Sequence, residues 1–148
     1  MARICGRFSL LVNICRIVNN RDWYDSISSL ELIGHFGRYF RVTEMLGRQS
    51  VKSRIDTGEG ISFTEFSYQL FQGYDWYHLH KNYGCNIQVG GHDQMGNMVS
   101  GHDLISRALK KQVYGKCRLT KNPVVFRFSN RVSFTFNWYS CRYNVTTN

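Results

Sequence analysis

The chain has 148 residues, 43% of them hydrophobic and 15% aromatic, with 19 Lys and Arg against 10 Asp and Glu for a formal charge of +9. One domain of that length buries roughly two-thirds of its unfolded surface, and so high an apolar fraction excludes an intrinsically disordered chain. The longest apolar stretch, at residues 8–12 with Ser9 inside it, is far shorter than the ~20 residues of a membrane-spanning helix, so no membrane partner is expected.

The first 15 residues, MARICGRFSLLVNIC, hold two Arg and no acid. They suit an organelle-targeting leader, and equally an arbitrary start followed by a buried apolar segment. Ser28-Ser29-Leu30-Glu31 fits a capping box, with Leu30, Ile33 and Phe36 following at helical spacing. Gly34 and Gly37 keep that helix short. Residues 43–46 and 50–55 read as further short helices, stopped by Gly58-Glu59-Gly60. Ser62-Phe63-Thr64-Glu65 is a second capping box and opens the strongest helix, residues 63–82, with Gly84 placed to end it. Residues 85–89 alternate apolar and polar, which predicts a strand ended by Gly90-Gly91. Asp93 is placed to cap a following helix that carries Met98, Ile105 and Leu109 along one side. Helix, strand, glycine turn and helix are one piece of an α/β layer architecture.

The C-terminal stretch changes character. Residues 124–128 and 132–138 flank Ser129-Asn130, and Val132, Phe134, Phe136 and Trp138 alternate with polar residues, a β-hairpin pattern. Residues 1–103 hold ten basic and all ten acidic side chains, so the nine Lys and Arg that follow carry the whole excess. The inference of a nucleic-acid partner from net charge therefore applies to the tail alone. There Lys110, Lys111, Lys116, Arg118, Lys121, Arg127 and Arg131 are interleaved with aromatics that suit stacking on bases, or simply a core. Five cysteines (Cys5, Cys15, Cys85, Cys117, Cys141) form no C-x-x-C pair. Their odd number and spacing argue against a disulfide scaffold or a zinc module, so no metal site is expected and a reducing compartment fits.

On the long helix, Phe63, Phe66, Leu70, Phe71, Tyr74 and Tyr77 gather on one broad side. Tyr68, Gln72 and Asp75 stand at i, i+4 and i+7 within an arc of roughly 60° on the other. A phenol, an amide and a carboxylate in a row can accept hydrogen bonds from an ammonium or a phenol. The same three residues also suit the solvated face of an amphipathic helix. In the run from Gln88 to Asn97, paired glycines at a strand's C-terminal end admit close backbone approach, and a helix N-terminus follows. In open α/β sheets that crevice binds nucleotides, with an acidic residue meeting ribose hydroxyls. Asp93 is placed for that work, and for a helix cap as well.

Longer stretches carry a resemblance. Asn19-Asn20-Arg21-Asp22-Trp23, Gln49-Ser50-Val51-Lys52-Ser53-Arg54, Gly60-Ile61-Ser62-Phe63-Thr64-Glu65-Phe66-Ser67-Tyr68-Gln69 and Gln72-Gly73-Tyr74-Asp75-Trp76 all match one family. With them go Tyr83-Gly84-Cys85, the 88–97 run and Val113-Tyr114-Gly115. Together they resemble tyrosyl-tRNA synthetase of the bacterial and mitochondrial type, a class I aminoacyl-tRNA synthetase. The resemblance covers residues 16–115. It implies an α/β fold, a partial Rossmann-like catalytic domain comprising its second half and a helical insertion. A leader outside the family precedes it at 1–15, and a basic, β-hairpin-like tail follows at 116–148. Strand 85–89 would then belong in the middle of a parallel sheet.

The family's chemistry, by resemblance, is attack of tyrosine on the α-phosphate of ATP, then transfer of the tyrosyl group to the 3′ end of tRNA(Tyr). Tyr68 and Gln72 would hold the α-amino group and Asp75 the phenolic hydroxyl. Gln88 and Gln94 would line the carboxylate side, and Gly91 with Asp93 the adenylate ribose. A buried acceptor left unpaired by phenylalanine rejects it by about 10⁵. Phe63 lies on the helix face that the family uses for its homodimer. ATP enters as a magnesium-bound substrate, with no tightly held cofactor. The implied compartment is the mitochondrial matrix, or the cytoplasm for a bacterial-type source.

The chain also departs from the family. His92 stands where the family usually has serine. Gly34-His35-Phe36-Gly37 is not the family's His-x-Gly-His motif, and Gly115-Lys116-Cys117-Arg118 is not its Lys-rich loop. Those motifs stabilise the triphosphate and developing negative charge, usually the largest catalytic contribution. No catalytic residue is therefore assigned, and a truncated or alternatively spliced product unable to activate tyrosine alone is expected. A non-catalytic RNA-binding fragment and a dimerisation fragment are the alternatives. Tryptophanyl-tRNA synthetase is the sibling reading, but an acceptor placed like Asp75 suits a phenol better than an indole.

Overall fold

A computed structural model describes residues 18–118. The leader at 1–15 and the hairpin expected at 124–138 lie outside the described residues. Short helices come first: α1 (Arg21–Tyr24), α2 (Ser29–Glu31), a π-helical turn (Leu32–Phe36), a 3₁₀ turn (Gly37–Tyr39), α3 (Val42–Leu46) and α4 (Gln49–Asp56). The capping box at Ser28 is present in full, each partner's side chain meeting the other's backbone N–H. Helix α5 (Phe63–Tyr83) dominates the chain. Ser62 caps it by accepting from the Glu65 N–H, while the Glu65 carboxylate accepts from the Ser62 hydroxyl at 3.3 Å and from Arg54 at 2.7 Å. At its far end Gly84 takes φ 68°, and the N–H groups of Gly84 and Cys85 return to the His80 and Leu79 carbonyls. A left-handed residue there is what glycine supplies without strain.

Strand β1 (Ile87–Gly91), a 3₁₀ turn (His92–Gln94), helix α6 (Met95–Leu109) and strand β2 (Tyr114–Arg118) complete the described chain. The strands are parallel, from Ile87 opposite Tyr114 to Gly91 opposite Arg118. Parallel neighbours need a crossover, and α6 is that crossover. The strand thus runs two residues later than expected, with Gly90 and Gly91 as its last two paired residues and not a turn beyond it. A Cβ on Gly90 would sit 2.9 Å from Met98 Sδ and 3.2 Å from Gln94 Cβ, so the glycine lets α6 lie close against the strand.

Helices α5 and α6 meet at Gly73 and Gly101. A Cβ on Gly101 would stand 2.9 Å from Trp76 Cε3, and one on Gly73 would stand 3.0 Å from Phe40 Cζ. Trp76, Cys85, Ile105 and Val113 form one buried cluster, in which the Trp76 indole N–H donates to the Cys85 carbonyl at 3.2 Å. Trp23, Leu32 and Tyr74 form another, joined by Phe36 and Tyr77.

The long helix is therefore covered on two sides, which corrects the single apolar face read from periodicity. Tyr74 and Tyr77 are in the core as expected, but Phe63 is 78% exposed and Phe71 is also exposed. The side against α6 is built on Gln69, Gly73 and Trp76, because two glycines, and not a stripe of large side chains, set the helix spacing. In the short helices Leu30 is 85% and Ile33 56% exposed, while Leu32 is buried. Of the residues spaced by 3.6, Phe36 does reach the core, whereas the π-helical turn that starts at Leu32 widens the period and brings Leu32 inward in place of Ile33.

Candidate functional site

Tyr68, Gln72 and Asp75 do share a face of α5, and each is partly buried. Asp75 is the most enclosed in chemical terms. Its Oδ1 accepts from the Trp23 indole N–H at 2.9 Å and its Oδ2 from Asn20 Nδ2 at 3.4 Å. Burial pushes its carboxyl up to about 6, and the hydrogen bonds from Trp23, Tyr24 and Asn20 only partly oppose that shift. Trp23 is held in turn by His78, stacked on it with ring centroids 4.4 Å apart. A carboxylate offers about four acceptor positions, so these three neutral donors still leave room for another.

A second cluster surrounds Gln72. Asn97 Nδ2 donates to Gln72 Oε1 at 3.1 Å and to Gln94 Oε1 at 3.2 Å, and Gln94 Nε2 donates to Asp93 Oδ2 at 2.7 Å. The structure thus brings together Gln72 from the long helix with Gln94 and Asp93 from the turn after β1. Asp93 caps nothing: it lies inside the 3₁₀ turn, the N-cap positions of that turn and of α6 fall to Gly91 and Gln94, and its carboxylate accepts from Gln94 instead. Gly91 lies directly against it, and a Cβ at Gly91 would collide with the Asp93 carboxylate. His92 is exposed at the start of the same turn.

Gln88, on β1, is 7% exposed, and its Oε1 is buried with no hydrogen-bond partner among the described residues. Leaving such an acceptor unsatisfied costs on the order of 1–3 kcal/mol. Phe63 stands apart at the exposed start of α5. Among the described residues no three His, Cys, Asp or Glu side chains gather in a group that would hold a metal ion, and no helix is long and apolar enough to cross a membrane. Asn20, Trp23 and Asn97 were not assigned from sequence. Asn97 had a signal, lying one helical turn after Gln94, whereas Asn20 and Trp23 are more than fifty residues from their partner.

A βαβ unit with a glycine-lined strand end and a polar helix face beside it places the described region in the class I synthetase α/β fold. Residues 7–135 match the model of the tRNA synthetases class I (W and Y), and the chain belongs to that family. It is 50% identical over 100 residues to the mitochondrial tyrosine–tRNA ligase of Drosophila melanogaster, covering 67% of this chain and 22% of that protein. It is 52% identical over 91 residues to the tyrosine–tRNA ligase of Streptococcus agalactiae, covering 62% and 21%. Among solved structures it resembles a C-terminally truncated mitochondrial tyrosyl-tRNA synthetase of Aspergillus nidulans, with TM-score 0.57 and 33% identity, over 77% of this chain and 34% of that one. A similar truncated enzyme from Coccidioides posadasii matches with TM-score 0.55 and 27% identity, over 72% and 35%. The chain spans about a fifth of the length of these curated relatives.

Proposed function

We propose that the described region is the tyrosine- and ribose-binding half of a tyrosyl-adenylate site. In this reading Asp75 receives the phenolic hydroxyl, and Tyr68 and Gln72 meet the α-ammonium. Gln88 and Gln94 line the carboxylate, and Gly91 and Asp93 meet the ribose hydroxyls. The observation that carries it is the enclosed Asp75 carboxylate, which accepts from the Trp23 indole, the Asn20 amide and the Tyr24 hydroxyl and keeps acceptor capacity to spare. The unsatisfied Gln88 oxygen supports the same reading, since a ligand donor would remove its penalty.

In the family reaction ATP is the substrate and tRNA(Tyr) the tyrosyl acceptor. Within these 148 residues the two motifs that handle the triphosphate have no counterpart. The chain alone therefore binds tyrosine without activating it, and pyrophosphate exchange on the purified protein is expected to stay at background. A rate near that of an intact ligase would overturn this part. Relatives described as mitochondrial support a mitochondrial matrix location, and bacterial relatives support the cytoplasm of a bacterial-type source. The exposure of Phe63 favours a second role for the same helix, as a homodimer face. The basic tail's role in RNA binding concerns residues largely outside the described ones.

Calorimetry with L-tyrosine and L-phenylalanine tests the central reading. Tyrosine is expected to bind and phenylalanine to bind at least about a hundredfold more weakly, because it leaves the Asp75 acceptor desolvated and unpaired. Equal affinities, or no tyrosine binding, would remove the proposal.

A further inference from the structure

Three amides and a carboxylate form a continuous chain, from Asp93 through Gln94 and Asn97 to Gln72. An amide is ambiguous by itself, since its carbonyl and NH₂ ends exchange by a half-turn and each orientation hydrogen-bonds equally well in isolation. The ambiguity ends at Asp93. A carboxylate accepts and does not donate, so the 2.7 Å contact requires the NH₂ end of Gln94. The Gln94 carbonyl must then face Asn97, and Asn97 must answer with its NH₂ group. The second proton of that group goes to Gln72, so the Gln72 carbonyl is turned toward Asn97. Reversing any one member would place two carbonyl oxygens, or two NH₂ groups, face to face.

We propose that Asn97 is a positioning residue that carries the polarity of Asp93 to the Gln72 amide, coupling the ribose side of the site to the ammonium side. The assignment of those two sides rests on the tyrosyl-adenylate reading above; the relay itself does not. A group that donates to Asp93 keeps it an acceptor and keeps the chain in register. Loss of the acceptor releases every amide along it. Asn97 suits the task because both its protons are used on the two glutamine oxygens, and because it projects from α6 between the helix that carries Gln72 and the turn that carries Gln94.

The test uses the full chain with its side-chain amides labelled for NMR. Asp93→Asn is expected to shift the Gln72 side-chain NH₂ signal, although Asp93 does not touch Gln72, and Asn97→Ala is expected to abolish that response. A Gln72 signal that ignores Asp93→Asn would overturn the proposal. Binding supplies a second arm. Asn97→Ala removes both donations to the glutamine oxygens without adding charge and is expected to weaken L-tyrosine about tenfold, while 3-(4-hydroxyphenyl)propionate, which lacks the ammonium, changes by less than about twofold. Equal weakening of both ligands would reduce Asn97 to a packing role and refute the coupling. Absence of L-tyrosine binding in the unsubstituted chain would end the tyrosine reading, and the NMR comparison would still decide the relay.

Discussion

Gln72 and Asp75 are three residues apart on one helix, yet they are held by opposite means. Asp75 is enclosed by residues from the start of the described chain, more than fifty positions away, and its charge is disfavoured by burial. Gln72 is held by a residue of the following βα unit, through a neutral chain of amides that ends at an exposed carboxylate. One arrangement keeps a strong acceptor at an energetic cost to the fold. The other sets direction at little cost, because its members stay partly in contact with water. A selective anchor needs the first property and an adjustable polar contact needs the second.

The largest expected effect removes the platform both clusters share. Gly101→Val puts a branched side chain where even a Cβ lies 2.9 Å from the Trp76 ring, so it should destabilise the fold by more than about 3 kcal/mol in chemical denaturation. Both clusters should fail together.

The next separates them. The folded Asp75 carboxyl, at about 6, lies above its ordinary value of 3.8. The folded state therefore binds that proton more tightly than the unfolded one, and stability must fall as pH rises from about 4 to about 6, then level off. Asp75→Asn should abolish that dependence and stabilise the ligand-free fold at pH 7 by on the order of 2 kcal/mol, while removing the preference for tyrosine over phenylalanine. Denaturation midpoints at pH 4 and pH 7 decide it, and a variant no more stable at pH 7 would contradict this account of Asp75.

Trp23→Phe is gentler. It keeps a ring against His78 but deletes the indole N–H, which should cost about 1–2 kcal/mol and raise the Asp75 carboxyl further. A carboxyl-carbon NMR titration reads that shift directly. The smallest effect belongs to the other cluster: Asn97→Ala should change stability by less than about 1 kcal/mol, because its partners can turn to water. A loss as large as that of Trp23→Phe would show that the relay is part of the core after all.

Much of this could be read from residues close together in the chain. Both ends of α5 were legible because Ser62 and Gly84 act on the nearest turns, where a cap or a left-handed residue is a local requirement. The row of Tyr68, Gln72 and Asp75 followed from helical period alone. The strand boundary did not, since Gly90 and Gly91 pair with β2 despite looking like a stop. The buried side of α5 was missed for a related reason. A helix spacing set by Gly73 and Gly101 leaves no apolar stripe to find.

The sequence by itself determined the family, the limits of the long helix and the residue types offered to a ligand, because each depends on local pattern or on long stretches of matching order. Tertiary structure alone decided that Asn20 and Trp23 meet Asp75, that Asp93 serves Gln94 and not a helix end, and that Asn97 bridges Gln72 and Gln94. These are contacts between groups brought together by the packing of separate elements, and no periodicity within one element encodes a partner on another.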